Sequence, residues 1–154
     1  IARAAGVTTI LNPAPAMALP PDLLALCDYL TPNETEAEAL TGLPVTTPDQ
    51  ARTAAAALRA QGARAVVITL GDKGALYHDA DTTLHLPALT LGPVVETTGA
   101  GDAFNGGFAA ALARGLPAAE AVRFATATAA LSVTRPGTAA SMPARAEIEA
   151  VLRR

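Results

Sequence analysis

Between Val94 and Gly107 the chain reads VVETTGAGDAFNGG. Gly99 and Gly101 can take a left-handed backbone and let a ligand approach the main chain without meeting a side chain. The helix that follows offers unpaired N–H groups and a partial positive charge at its first turn, which makes an anion site on a rigid element. Asp102 stands beside it, and a carboxylate there would repel phosphate unless it served some other purpose. Proton abstraction would be that purpose, with a substrate hydroxyl losing its proton to Asp102 as its oxygen attacks phosphorus. The amides of Gly99, Ala100 and Gly101 then stabilise charge growing on the transferred group. General-base help contributes roughly 10²–10⁴ in rate, and each anion-hole donor roughly 10²–10³. For an arbitrary Gly-Asp at a helix start, a simple cap on the helix dipole is the commoner role.

Other phosphate-binding patterns fail. GxxxxGK[ST] is absent, and GxGxxG breaks because Phe104 sits where the third glycine belongs. Phe104, Phe108 and Leu112 share one face of the following helix and anchor it in a core. Gly106 and Gly107 each cost about 1 kcal/mol against Ala in a helix, which implies a neighbouring backbone or ligand in close contact.

The elements that must position this turn alternate. Val7–Leu11 reads as a short buried strand ending at Asn12-Pro13, and NPAPAMALPP, with four prolines, is a loop. A short helix is predicted over 22–27, with Leu23, Leu24 and Leu26 on its apolar side, then a strand at Tyr29–Thr31. Helices follow over 34–40, stopped by Gly42, and over 49–60, stopped by Gly62. AVVITL, 65–70, is the strongest buried strand. Residues 74–77 and 83–86 read as antiparallel additions around a turn at 79–81, and Val94-Val95 as a last strand. Helices over 103–113, 117–132 and 144–152 complete the chain. Strands alternating with helices predict an α/β layer structure around a mainly parallel sheet.

Bulk composition bounds the function. The 154 residues suffice for one domain with a core, and 51% are hydrophobic against 16% charged, unlike a disordered chain. Net charge is −3 with no basic run, so neither nucleic acid nor an acidic membrane face is indicated as a partner. No apolar run reaches the roughly 18 residues a membrane helix needs, and no signal-peptide pattern opens the chain. The single cysteine, Cys27, fits a reducing cytoplasm. The chain opens on Ile1, and IARAAG resembles the end of a helix stopped by Gly6, so the sequence reads as a fragment whose N-terminal part lies elsewhere; a trimmed or processed start is the alternative.

Five motifs in order make the sequence similar to the ribokinase-like (PfkB) carbohydrate kinases, over essentially the whole chain and over the C-terminal half of that family. They are LNPAPA at 11–16, TPNETEAEALTG at 31–42, VVITLGDKGAL at 66–76, ETTGAGDAFNGG at 96–107 and VTRPGTAAS at 133–141. The resemblance implies a three-layer α/β/α fold with a mainly parallel sheet, here an incomplete C-terminal portion carrying the nucleotide-binding and catalytic part. It implies an ATP-dependent kinase that phosphorylates the primary hydroxyl of a small sugar. NETEAEALTG and VTRPG favour the ribose-phosphorylating members, with fructokinases, 2-keto-3-deoxygluconate kinases and nucleoside kinases as alternatives. A non-catalytic nucleotide-binding module and a partner-binding α/β domain are the other classes.

The resemblance also assigns residues. Asp102 becomes the base, and Gly99, Ala100 and Gly101 the anion hole. Asn33 and Glu36 orient phosphate and Mg²⁺ through water, although the same spacing is a capping box with Asn33 as N-cap. The nucleotide loop falls on Thr69, Leu70, Gly71, Asp72, Lys73 and Gly74, at the carboxyl end of a buried strand where α/β sheets bind ligands, and Thr126 falls on the adenine pocket. A K⁺ site falls on Glu96, Thr98, Ser132, Arg135, Gly137 and Ser141, several through carbonyl oxygens; the family usually has aspartate where Glu96 stands. The missing half implies an absent sugar pocket and lid, with an inactive isolated fragment and a homodimer when full length. His78 and His85 lack partners at metal-ligand spacing, Cys27 reads as a buried thiol, Ile148, Val151 and Leu152 as a core-facing stripe, and Arg153 and Arg154 as a solvated end.

Overall fold

Strand β3 (Ala65–Thr69) organises the first part of the chain, and its residues Ala65 to Ile68 are all buried. The computed structural model describes residues 1–20 and 22–153. Pro21 of the proline loop and Arg154 of the expected solvated end lie outside the described residues. The chain divides into two compact units, Ile1–His85 and Leu86–Arg154.

In the first unit, β1 (Ile10–Leu11) and β2 (Tyr29–Leu30) run parallel to each other and to β3, with Tyr29 opposite Ala65 and Leu30 opposite Val66. β4 (Ala75–His78) pairs antiparallel with β3, Thr69 opposite Ala75, and β5 (Thr83–Leu86) follows at the edge. The sheet is therefore mixed: parallel through its first three strands, with the antiparallel addition at 74–86 expected from the sequence. Its order is simply β1-β2-β3-β4-β5.

Helices α1 (Glu34–Thr41) and α2 (Pro48–Ala60) pack against β3. The two-residue period of β3 puts Val66 and Ile68 into one cluster with Leu30, Leu76, Ala51, Ala54, Ala55 and Leu58. Alanines at spacings of three and four on α2 let the helix lie close to the strand. Thr47 caps α2 through the Gln50 amide, Pro48 occupies its first turn, and α1 ends at left-handed Gly42.

Three expectations in this unit change. The buried strand at 7–11 shrinks to Ile10–Leu11, because Val7 is exposed and the backbone pairs with its neighbour only from Thr9 onward, through Tyr29 N–H to Thr9 O. The helix over 22–27 is a single 3₁₀ turn, Leu24–Leu26. Leu24 is buried but Leu26 is exposed, since three residues cannot place all three leucines on one side. The opening IARAAG is likewise one 3₁₀ turn, Arg3–Ala5, closed by left-handed Gly6.

The second unit holds α3 (Ala100–Ala113), α4 (Ala118–Ser132) and α5 (Arg145–Leu152). Gly107 allows the α3–α4 contact: a Cβ there would stand 2.5 Å from Thr128 Oγ1 and 3.2 Å from Ala125 Cα. Gly106 has nothing within 4 Å and is exposed, so the expected close contact belongs to Gly107 alone. Phe104 and Phe108 are buried and stacked, while Ala111, not the half-buried Leu112, completes the inner face. In α5 only Ile148 is buried; Val151 and Leu152 are half-buried.

No strand forms at Val94-Val95, and both side chains are exposed. The amides of Val95 and Glu96 both donate to the carbonyl of Val133, at 2.8 and 3.2 Å. A helix end leaves carbonyls without intrahelical partners, and this segment satisfies one at the end of α4 instead of joining a sheet. No helix among the described residues is long and apolar enough to cross a membrane.

Candidate functional site

The parallel strands of the first unit end together. Thr69 N–H donates to Pro32 O at 3.0 Å, and Asn33 forms a bridge with Thr69. The start of α1 and the TLGDKG loop are thus neighbours at the carboxyl edge of β2 and β3. Asn33 Oδ1 accepts the Glu36 amide and Glu36 Oε2 accepts the Asn33 amide, both at 2.8 Å. This is a complete capping box, and Glu36 is buried. A carboxylate has room for further donors beyond that one amide.

The loop after β3 is closed by its own backbone. Leu70 N–H donates to Gly74 O, Lys73 N–H to Leu70 O and Gly74 N–H to Gly71 O. Gly71 and Gly74 have φ of 53° and 96°, and the loop needs both. The Leu70 side chain is fully buried in the core and anchors the loop, which leaves only its backbone at the loop surface. Asp72 and Lys73 are exposed, with the ammonium 3.8 Å from the neighbouring carboxylate. His85, without a metal-ligand spacing in the sequence, places Nε2 2.7 Å from Lys73 O. A carbonyl only accepts, so that nitrogen carries a proton. Nothing in the sequence signals this contact, which depends on strand β5 lying where it does.

In the second unit, Gly99 has φ 81° and ψ 3° and caps α3. The helix begins at Ala100, three residues earlier than expected, so Gly101 is helical and not left-handed. Ala100 N–H donates to Thr97 O at 3.1 Å, closing the turn. Gly101 and Asp102 follow as the second and third residues of the helix, where amides have no intrahelical acceptor. A Cβ on Gly101 would meet nothing within 4 Å, so the approach to those amides is open. Asp102 is exposed, and among the described residues no side chain bonds it. Of the expected trio, the Ala100 amide is thus taken up by the turn itself, while Gly101 and its neighbour Asp102 stand at positions without an intrahelical acceptor.

The six residues expected around a cation lie in the same unit. Glu96 Oε2 accepts the Gly137 amide at 2.8 Å. Ser132 O accepts the Arg135 amide at 3.2 Å, and the Ser132 hydroxyl turns back to Ala129 O. Ser141 is buried, with its hydroxyl on Thr138 O at 2.7 Å, and Thr98 is exposed just before the turn. The Arg135 guanidinium pairs with Glu147, which with the Ala144 amide holds that carboxyl below the usual glutamate range. Only backbone atoms of Arg135 are thereby left to face an ion. Thr126 is buried within α4, its hydroxyl on Val122 O.

Comparison with known proteins fits this arrangement. The profile of the pfkB family carbohydrate kinases matches residues 1–145. The chain is 44% identical to ribokinase of Haemophilus influenzae over 147 residues, covering 96% of this chain and 48% of that protein. It is 43% identical to deoxyribokinase of Salmonella typhimurium over 139 residues, covering 90% and 45%. The structure of Arabidopsis thaliana ribokinase complexed with ribose and ATP matches with a TM-score of 0.93 at 37% identity, over 98% of this chain and 49% of that one. The chain therefore spans about half the length of the relatives it matches. With the ribokinase-like α/β fold and a family profile running over nearly its whole length, this chain belongs to the pfkB family of carbohydrate kinases.

Proposed function

We propose that the chain carries the nucleotide-binding and catalytic part of a kinase that moves the γ-phosphoryl of ATP to the primary hydroxyl of a sugar, D-ribose first. The observation that carries this reading is the start of α3: a left-handed Gly99, open space at Gly101 and an exposed Asp102 at the third helical position. The hydroxyl proton passes to the Asp102 carboxylate as the sugar oxygen bonds to phosphorus and the bond to the ADP oxygen breaks. Charge on the moving group is met by the amides at the helix start, which need no reorganisation during the step. The exposed residues of the Gly71–Gly74 loop hold the nucleotide, and Thr126 lines the adenine pocket. The product is D-ribose 5-phosphate.

Magnesium bound with the nucleotide would neutralise phosphate charge; Asn33 and Glu36, hard oxygen donors in an ordered capping box, fit a water-mediated hold on it. Potassium would add a fixed positive charge near the anion turn. Glu96 and the carbonyls of Thr98, Ser132, Arg135, Gly137 and Ser141 would supply it with oxygen donors only, the kind that replace an alkali ion's water. Deoxyribokinase is as similar as ribokinase over the matched part, so 2-deoxy-D-ribose ranks second as substrate. The sugar pocket lies mostly outside these residues, and the isolated chain is expected to bind Mg·ATP without turnover. The test is a sugar panel with Mg·ATP on the full-length protein. Phosphorylation of ribose supports the reading, phosphorylation of a different sugar shifts the substrate, and no phosphoryl transfer to any sugar overturns it.

A further inference from the structure

Glycine at position 99 permits the left-handed turn but does not enforce it, because glycine loses more conformational freedom on ordering than any other residue. Something else must hold the turn that aims the open amides and Asp102. The loop after α4 is seated against it. A Cβ on Gly99 would stand 3.2 Å from Thr138 Cγ2 and 3.3 Å from Thr138 Cβ, so the Thr138 side chain fills the space beside the turn. One residue earlier, Gly137 N–H reaches back to Glu96 Oε2 at 2.8 Å. From behind, the buried Ser141 hydroxyl donates to Thr138 O at 2.7 Å. Further upstream the Val95 and Glu96 amides share Val133 O. The segment 95–99 is thus fastened at several points to 133–138, while its own backbone closes the turn through Ala100 N–H to Thr97 O.

We propose that Glu96, Gly137 and Thr138 form a clamp that fixes Gly99 in its left-handed state, with Thr138 a positioning residue for the anion turn and Asp102. The proposal rests on the reading of Asp102 as base, and it assigns Glu96 a hydrogen-bonding role independent of any ion. The Thr138 side chain acts through shape: its methyl group closes the side of Gly99 on which a Cβ would sit. Loosening it misaims the donors without removing any of them, a loss that falls on turnover more than on nucleotide binding.

The test compares Thr138→Ala, Thr138→Val and Glu96→Ala in the full-length protein, by steady-state kinetics and by amide hydrogen exchange over residues 96–104. Thr138→Ala is expected to lower kcat by roughly three- to tenfold with KM for ATP within about twofold, and Thr138→Val, which keeps the branched shape, to restore it. Exchange over 96–104 is expected to quicken in Thr138→Ala and Glu96→Ala and to stay at the wild-type rate in Thr138→Val. Wild-type exchange in both truncations overturns the clamp, whatever the kinetics. Faster exchange with unchanged kcat overturns the positioning role, and failure of Thr138→Val to restore function assigns the effect to the hydroxyl and overturns the shape argument. If the wild-type protein phosphorylates no sugar, the reading of Asp102 fails, while the exchange comparison still decides the clamp.

Discussion

The two candidate regions use their motif residues in opposite ways. At the carboxyl edge of β2 and β3, Asn33 and Glu36 bond each other, Leu70 is core, and the Gly71–Gly74 loop closes on its own backbone. At the start of α3, Asp102 has no side-chain partner among the described residues, and Gly101 opens on empty space. The first region folds itself with the same groups proposed to meet ligand. The second leaves its reactive group free and holds the turn from outside. A substitution in the first therefore mixes stability with function, and one at Asp102 separates them.

The sharpest attempt to break that contrast is Asp102→Asn in the full-length protein. We expect kcat to fall by roughly 10²–10⁴, with ATP affinity and melting temperature close to wild type, since no fold contact is lost. A mutant with wild-type turnover would remove Asp102 from the chemistry. A mutant that melts well below wild type would show that Asp102 is as much a folding residue as Asn33.

Next in size is Gly107→Ala. The new methyl would stand 2.8 Å from Thr128 Cβ, and Thr128 cannot swing away freely because it is buried with its hydroxyl on Phe124 O. Overpacking of this kind costs about 1–3 kcal/mol, read as a lower denaturation midpoint. Gly106→Ala meets nothing and should stabilise the helix slightly instead. Equal effects at the two positions would mean that α3 and α4 do not approach as described.

The capping box supplies the third comparison. Asn33→Ala should cost about 0.5–2 kcal/mol and weaken Mg·ATP binding, whereas Asn33→Ser keeps a capping oxygen and should restore most of the stability. If Asn33→Ser also restores nucleotide affinity, the residue acts on ATP only by capping α1. If stability returns and affinity does not, the amide has a second role.

What the sequence disclosed follows the same division. Periodicity sufficed for β3, α1, α2 and the three later helices, because burial and caps are local in the chain: Thr47 with Gln50, Asn33 with Glu36, glycine at 42. The glycine turn and Asp102 were legible from residue type alone. Contacts made across long separations were not. Val94-Val95 has the composition of a strand, yet its amide partner is Val133, far along the chain. His85 on Lys73 O, and Thr138 against Gly99, likewise depend on where distant loops settle. The engagement of the Ala100 amide by Thr97 O was not legible either, because it is a turn geometry that Thr-Thr-Gly-Ala does not advertise.

The smallest effect contrasts the acids that each unit does commit to its fold. Burial works to raise the Asp79 carboxyl, but the Tyr77 hydroxyl at 2.5 Å, the amides of Asp81 and Thr82, and the charge of Arg59 together hold it below the usual aspartate range. Burial and the same bond push the Tyr77 phenol upward. Glu147 is lowered as well, by Arg135 first, but on an open surface. A carboxyl depressed in the folded state contributes stability that is fully present above its unfolded pKa and disappears as pH falls through its folded one. Both acids should therefore give a stability that declines only below about pH 4–5. Salt distinguishes them. Added salt screens the exposed Glu147–Arg135 pair, so Glu147→Gln should flatten the acid limb at low ionic strength and change little at high. Asp79→Asn should flatten it at both, because short hydrogen bonds to the carboxylate from the neutral donors of Tyr77 and two amides are screened far less than an exposed ion pair. Denaturation midpoints from about pH 3 to 7, a window that brackets the carboxylate range, read this directly at two salt concentrations, and an acid limb at Asp79 that vanishes with salt would mean that Arg59, not the hydrogen bonds, sets its ionisation.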